Sequence, residues 1–191
     1  MRKILFAFAV LLLQFVSLGA QEYSFERGIH YRSEFSSDPA ISLASDPYVQ
    51  EICTVDVAYV PGQSERPVIV WFHGGGLTGG EKEIPEALCT RGYVVIGVGY
   101  RLSPKVSVAE IVDDAAVAVA WAFANAGRFG GSRSKIYLAG HSAGGYLLDL
   151  LGLDKPLLSK YGVDADEIAA LIPYSGQVVT HYTERAAQGI G

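Results

Sequence analysis

Cysteine is scarce in this chain: Cys53 and Cys89 are the only two among 191 residues, and neither belongs to a Cys-x-x-Cys or a clustered Cys/His spacing. That excludes a structural zinc site or a dithiol redox motif. A His-Glu-x-x-His pattern is also missing, so no metal is expected. Basic charge is short too, with 15 Lys and Arg against 20 Asp and Glu and a net charge of −5. Without a basic stripe to neutralise phosphates, nucleic acid is not an expected partner. The amino-terminal apolar run, residues 4–13, stops at 10 residues, where a bilayer span needs roughly 20. No internal repeat, charge block or low-complexity stretch interrupts the chain.

What the amino terminus does contain reads as a targeting segment. Arg2 and Lys3 precede the apolar run, and Ser17-Leu18-Gly19-Ala20 offers small residues for cleavage before Gln21. Residues 1–20 are therefore expected to be a secretory signal peptide, giving a periplasmic or secreted product with no stable membrane anchor after cleavage. Because Gln follows the cut, no lipid-bearing cysteine is implied. The 171 residues from Gln21 to Gly191 suffice for one domain with a sizeable core. Residues 21–50, with Ser36-Ser37-Asp38-Pro39 and Ser45-Asp46-Pro47, read as an irregular lead-in, and 51–191 as the domain itself. In an exported chain Cys53 and Cys89 can pair or can each serve as a small buried hydrophobe, and the sequence leaves both readings open.

Within the domain, apolar runs predict strands over 54–60, 68–72, 93–98, 136–139 and 168–174. Helices are expected over 81–91, ending at Gly92, and over 107–126, where Val108, Ile111, Val112, Ala115, Val119, Ala122 and Phe123 recur at helical spacing. Gly127 suits the C-terminal cap of the second helix. Continuous apolar strands alternating with helices argue for an α/β fold built on a mostly parallel sheet with helices on both faces.

Two motifs carry chemistry. Gly140-His141-Ser142-Ala143-Gly144 follows the 136–139 strand and precedes a helical run, the strand-turn-helix setting of a G-x-S-x-G nucleophile elbow. Gly140 and Gly144 are the small neighbours that let strand and helix approach while Ser142 stands clear of the sheet. The second motif is His73-Gly74-Gly75-Gly76, into which the 68–72 strand empties, 67 residues ahead of Gly140. A glycine loop there can turn backbone N–H groups toward a carbonyl oxygen beside the serine. Gly74-Gly75-Gly76-Leu77-Thr78-Gly79 also satisfies the dinucleotide fingerprint G-x-G-x-x-G, but Val98-Gly99-Tyr100 brings no acid to bind a ribose. A P-loop fails as well, since Glu81 stands where Lys is required. No cofactor is expected.

On these residues, with Tyr100-Arg101-Leu102 after the next strand and Asp114 seven residues before Trp121, the chain resembles the α/β-hydrolase superfamily. It is similar to the hormone-sensitive-lipase-like branch, and within it to bacterial esterases of the feruloyl and acetyl-xylan type. The match runs from about 56 to 176. One position departs, Gly99, where the family often has Asp before Tyr-Arg. The resemblance implies an α/β-hydrolase fold in which Ser142 is the nucleophile, Gly75, Gly76 and Ala143 supply the oxyanion donors, and His73 and Gly74 support the loop. It implies a small-molecule or carbohydrate ester as substrate. The alternative is a non-catalytic relative that binds acylated or carbohydrate ligands.

The same resemblance makes the fold look incomplete at the C-terminus. The family order is serine, acid, histidine, and only 49 residues follow Ser142. Acid and histidine belong after two further strands, so both are expected to be absent from this chain, which reads as a fragment of a longer esterase. His181, the only histidine after Ser142, is expected to be a surface or substrate-contacting loop residue and not the base: it comes two strands too early, and Glu184 follows it in reversed order. His141 flanks the serine in a direction unsuited to deprotonating it, and His30 falls in the lead-in.

Overall fold

Runs rich in β-branched residues form three adjacent strands within a six-stranded sheet. The computed structural model describes residues 22–33 and 45–190; the expected signal segment at 1–20 lies outside them. The strands are β1 Ser24–His30, β2 Thr54–Tyr59, β3 Arg66–Phe72, β4 Val94–Val98, β5 Gly131–His141 and β6 Ala170–Tyr174, in the spatial order β1-β2-β4-β3-β5-β6. The run from β4 through β3 and β5 to β6 is parallel, while β1 and β2 join it antiparallel. The mostly parallel sheet expected from the resemblance is present.

Among the described residues four helices lie between strands, α1 Pro47–Ile52, α2 Val108–Asn125, α3 Ala143–Leu153 and α4 Pro156–Ser159, and α5 Tyr182–Ala187 follows β6. A capping box starts α2, with Ser107 Oγ accepting the Glu110 N–H and Glu110 Oε2 accepting the Ser107 N–H. Alternate residues of the central strands, among them Val68, Val70, Phe72, Ile96 and Leu138, point to one face and are buried with Ile111, Trp121 and Leu147 of α2 and α3. Full burial of each such side chain stabilises by about 1.5–3 kcal/mol. On the opposite face the connection between β3 and β4 packs close, where a Cβ at Gly97 would run into the Glu83 carbonyl.

That connection corrects the helix expected over 81–91, which is only a 3₁₀ turn, Glu86–Leu88. Pro85 offers no N–H and pushes the residue before it away from helical backbone, so the apolar residues cannot propagate a helix. The expected cap at Gly127 is also displaced: α2 runs into a 3₁₀ turn, Ala126–Phe129, and the left-handed cap is Gly130 at φ 77°. The lead-in read as irregular over 21–50 contains β1 and the start of α1. A register shift between Glu26 and Ile29 in β1, at Gly28 with φ 67°, breaks the alternation by which a strand is read. Both cysteines are free thiols, and burial pushes the Cys53 thiol up to about 12, with Asp114 adding to the effect.

Candidate active site

The register of the parallel strands brings their carboxyl ends level. Phe72 pairs with Val98 on one side and Gly140 on the other, and His141 pairs with Tyr174. Loops leaving these ends face one crevice, where ligands of open α/β sheets bind. Ser142 sits at its centre, between the last residue of β5 and the first of α3. Its backbone has φ 53° and ψ −113°, rare for a residue with a side chain. Two hydrogen bonds hold it there: its N–H donates to the Tyr174 carbonyl at 2.8 Å, and its carbonyl accepts the Tyr146 N–H at 3.1 Å. Close packing explains the glycines, since a Cβ at Gly140 would crowd Phe72 O at 2.9 Å and one at Gly144 would meet the Phe72 and His73 carbonyls.

The loop after β3 comes up beside this elbow. A Cβ on Gly74 would lie 3.5 Å from Ser142 Cβ and 2.9 Å from His141 Nδ1, so the two glycine motifs are neighbours in space. Gly75 has φ 117° and Gly76 φ 66°, conformations open to glycine. The Gly75 carbonyl accepts N–H groups from Thr78 at 3.1 Å and Gly79 at 3.0 Å, closing the loop on itself. Among the described residues, the N–H groups of Gly75, Gly76 and Ala143 meet no acceptor within the protein. His73 is 4% exposed, and its ring stacks on Tyr100 with centroids 4.2 Å apart at 4°. Tyr100 donates its hydroxyl to the His73 carbonyl at 2.7 Å. Burial lowers the His73 pKa, and the ring stands against its own loop at Gly74 O, 2.6 Å away, in a bracing position.

Behind the loop lies a buried ion cluster. Asp114 on α2, wholly buried, accepts Arg101 Nε at 2.8 Å, Arg101 Nη2 at 2.9 Å and the Arg101 backbone N–H at 3.1 Å. From the lead-in, Arg32 adds Nε to Asp114 at 2.7 Å and Nη2 to Asp113 at 2.7 Å. Next to it, Tyr31 donates its hydroxyl to the Gly99 carbonyl at 2.9 Å. The Gly99 N–H donates to Thr54 O at 2.9 Å, and a side chain at this position would collide with the Ile52 carbonyl. Backbone packing therefore accounts for Gly99 where the resembled family often has Asp. Sequence reading missed Tyr31 and Arg32, whose partners lie 68 and 82 residues away.

The histidines sort differently from the sequence reading in one case. His181, expected in a surface or substrate-contacting loop, is 1% exposed. It is the N-cap of α5, and its Nδ1 accepts the Thr183 N–H at 3.2 Å. With Nδ1 so engaged, the neutral ring carries its proton on Nε2 and has no free lone pair for a serine proton. Glu184 is bonded by Gln188, not by His181. Among the described residues no histidine is hydrogen-bonded or ion-paired to a carboxylate. A cavity of about 380 Å³ opens along α3, between Tyr146, Asp149 and Leu150 on one side and Gln177 and Val178 on the other.

The chain is similar to known proteins in sequence and in fold. A family model described as BD-FAE matches residues 55–173. Over 90 residues the chain is 34% identical to esterase LipI of Mycobacterium tuberculosis, covering 44% of this chain and 28% of that protein. It is 32% identical over 131 residues to phenmedipham hydrolase of Pseudarthrobacter oxydans, covering 62% and 27%. A solved bacterial heroin esterase superposes with a TM-score of 0.62 at 24% identity over 85% of this chain and 47% of its own, a likeness of fold. The matches thus span little more than a quarter of these curated relatives' length. With the family model covering most of the sheet, from β2 to β6, and both glycine motifs, the chain belongs to the BD-FAE family, in the hormone-sensitive-lipase-like branch of the α/β-hydrolase superfamily.

Proposed function

We propose that this chain carries the nucleophile and the oxyanion-stabilising part of a serine carboxylic ester hydrolase. The observation that carries the reading is Ser142 held in a strained turn directly beside the Gly74–Gly76 loop, with three backbone N–H groups free of protein acceptors. Ser142 Oγ attacks the ester carbonyl carbon, and Gly75, Gly76 and Ala143 donate to the oxygen on which negative charge develops. The tetrahedral adduct collapses to an acyl-enzyme as the alcohol leaves with a proton, and water then releases the acid. Esterase and hydrolase relatives support this class of reaction.

Serine is a weak nucleophile at its own pKa and needs a base. We assign that base and its orienting acid to the portion of the relatives' length that this chain does not span. The substrate proposed is an acylated carbohydrate or other small ester met outside the cytoplasm, a reading supported by the amino-terminal targeting pattern and the family resemblance. The cavity along α3, one helical turn from Ser142 at Tyr146, is the proposed seat of one arm of the ester.

The test uses the full gene product. Ser142→Ala is expected to abolish hydrolysis of a short chromogenic ester and labelling by a fluorophosphonate, because no other group supplies the alkoxide. Full hydrolysis in this variant, with the probe attached to another serine, overturns the reading.

A further inference from the structure

The segment after β6 ties the two halves of the site together. Gly176 packs on Gly145 in the first turn of α3, and α5 then comes to rest against the His73–Gly76 loop. Thr183, 7% exposed, donates its hydroxyl to the Gly76 carbonyl at 2.6 Å. Tyr182 lays its own hydroxyl against Gly76, in the space a Cβ would occupy. At the other end the buried His181 ring lies 5.2 Å from the Tyr146 ring on α3 and 4.3 Å from the Tyr182 ring.

These contacts form a continuous chain. The Ser142 carbonyl holds the Tyr146 N–H, Tyr146 packs on His181, His181 caps Thr183, and Thr183 grips Gly76. Gly76 needs such a grip. Three successive glycines leave the loop backbone with little steric restriction, and the N–H groups of Gly75 and Gly76 are useful only if aimed. A hydrogen bond on the Gly76 carbonyl fixes the plane that follows it and so limits rotation at Gly76. Histidine is an uncommon choice for a helix cap, where Ser, Thr, Asp and Asn are preferred. Those shorter side chains would satisfy the Thr183 N–H but would not reach Tyr146. The Thr183 N–H aimed at Nδ1 marks that nitrogen as an acceptor, and burial, which lowers the His181 pKa, favours the neutral ring.

We propose that His181 and Thr183 are positioning residues that hold Gly76 in register with Ser142, linking the oxyanion loop to the elbow helix. The inference rests on the esterase reading of Ser142. In the full gene product, Thr183→Val, which keeps shape and loses the hydroxyl, is expected to lower kcat about 10-fold with KM within about twofold, a partial loss of what a whole oxyanion donor supplies. Fluorophosphonate labelling should slow in parallel, and Thr183→Ser should restore both. His181→Ala should give a similar loss, and the double variant no more than the larger single loss, because the two act in series. Thr183→Ala is read in the same way should the valine variant not fold. Wild-type kcat in a folded Thr183→Val or Thr183→Ala, or losses that multiply in the double variant, overturns the inference. Activity surviving in Ser142→Ala overturns the underlying reading, so the two failures are distinguished.

Discussion

Ser142 holds a backbone conformation that costs a residue with a side chain about 1–3 kcal/mol, and its neighbours are chosen to keep it there. Tyr174 O and the Tyr146 N–H take its two backbone groups, while the glycines on either side remove every Cβ that would force the turn open. Gly75 is the matching case on the facing loop. At φ 117°, with a Cβ position inside contact distance of Gly79 O, it tolerates no side chain without moving its own N–H. Gly75→Val is therefore expected to lower turnover by about 100-fold or more, the scale of losing one oxyanion donor. The variant is first checked for a cooperative melt; unchanged turnover in a folded protein would show that the loop only fills space. Both motifs were legible in the sequence because each is local, a few consecutive residues whose chemistry is set by their order. The roles of Tyr31, Arg32 and Thr183 were not legible, because the groups that define them are remote: Thr183 meets Gly76 across 107 residues of chain.

Among the elements, α2 does more than cover the sheet. Asp114 on its first turns fixes the strand-following segment at Arg101 and the lead-in at Arg32, two guanidinium groups that are almost fully buried. Removing the charge leaves both without their main counter-ion, and breaking a buried pair in this way costs about 3–5 kcal/mol. Asp114→Asn is expected to lower unfolding stability by about 3 kcal/mol in urea titrations. A change below about 1 kcal/mol would mean that water reaches the cluster. Element type was readable wherever one period dominated, as in the apolar runs of β3 and β4 and the helical recurrence of α2. It was not readable where a local exception broke the period: Pro85 stopped the helix suggested by residues 81–91, and the bulge at Gly28 hid β1 in the lead-in. His181, read as a loop residue, is instead the N-cap of α5, because its Nδ1 accepts the Thr183 N–H.

As a whole molecule the chain is unevenly covered. Among the described residues β6 pairs only with β5, and it carries Ile172 and Tyr174 at 50% and 67% exposure, with Val178 at 89% and Val179 at 63% in the segment that follows. An open strand edge next to apolar side chains favours association. Residues 21–191 expressed alone are expected to elute from size exclusion as mixed oligomers or aggregate. A monodisperse monomer with a cooperative melt contradicts this. The cluster around Asp114 also imposes an order in time. Arg32 leaves the ribosome 82 residues ahead of its carboxylate, a lag of about 4–16 s at ordinary elongation rates. During that interval β1 and β2 can pair with each other, but Arg32 has neither Asp113 nor Asp114 to bury its guanidinium against. Closure of the lead-in around Arg32 therefore waits for α2 to be made, and the last step of this half of the fold is set by the middle of the chain and not by its start.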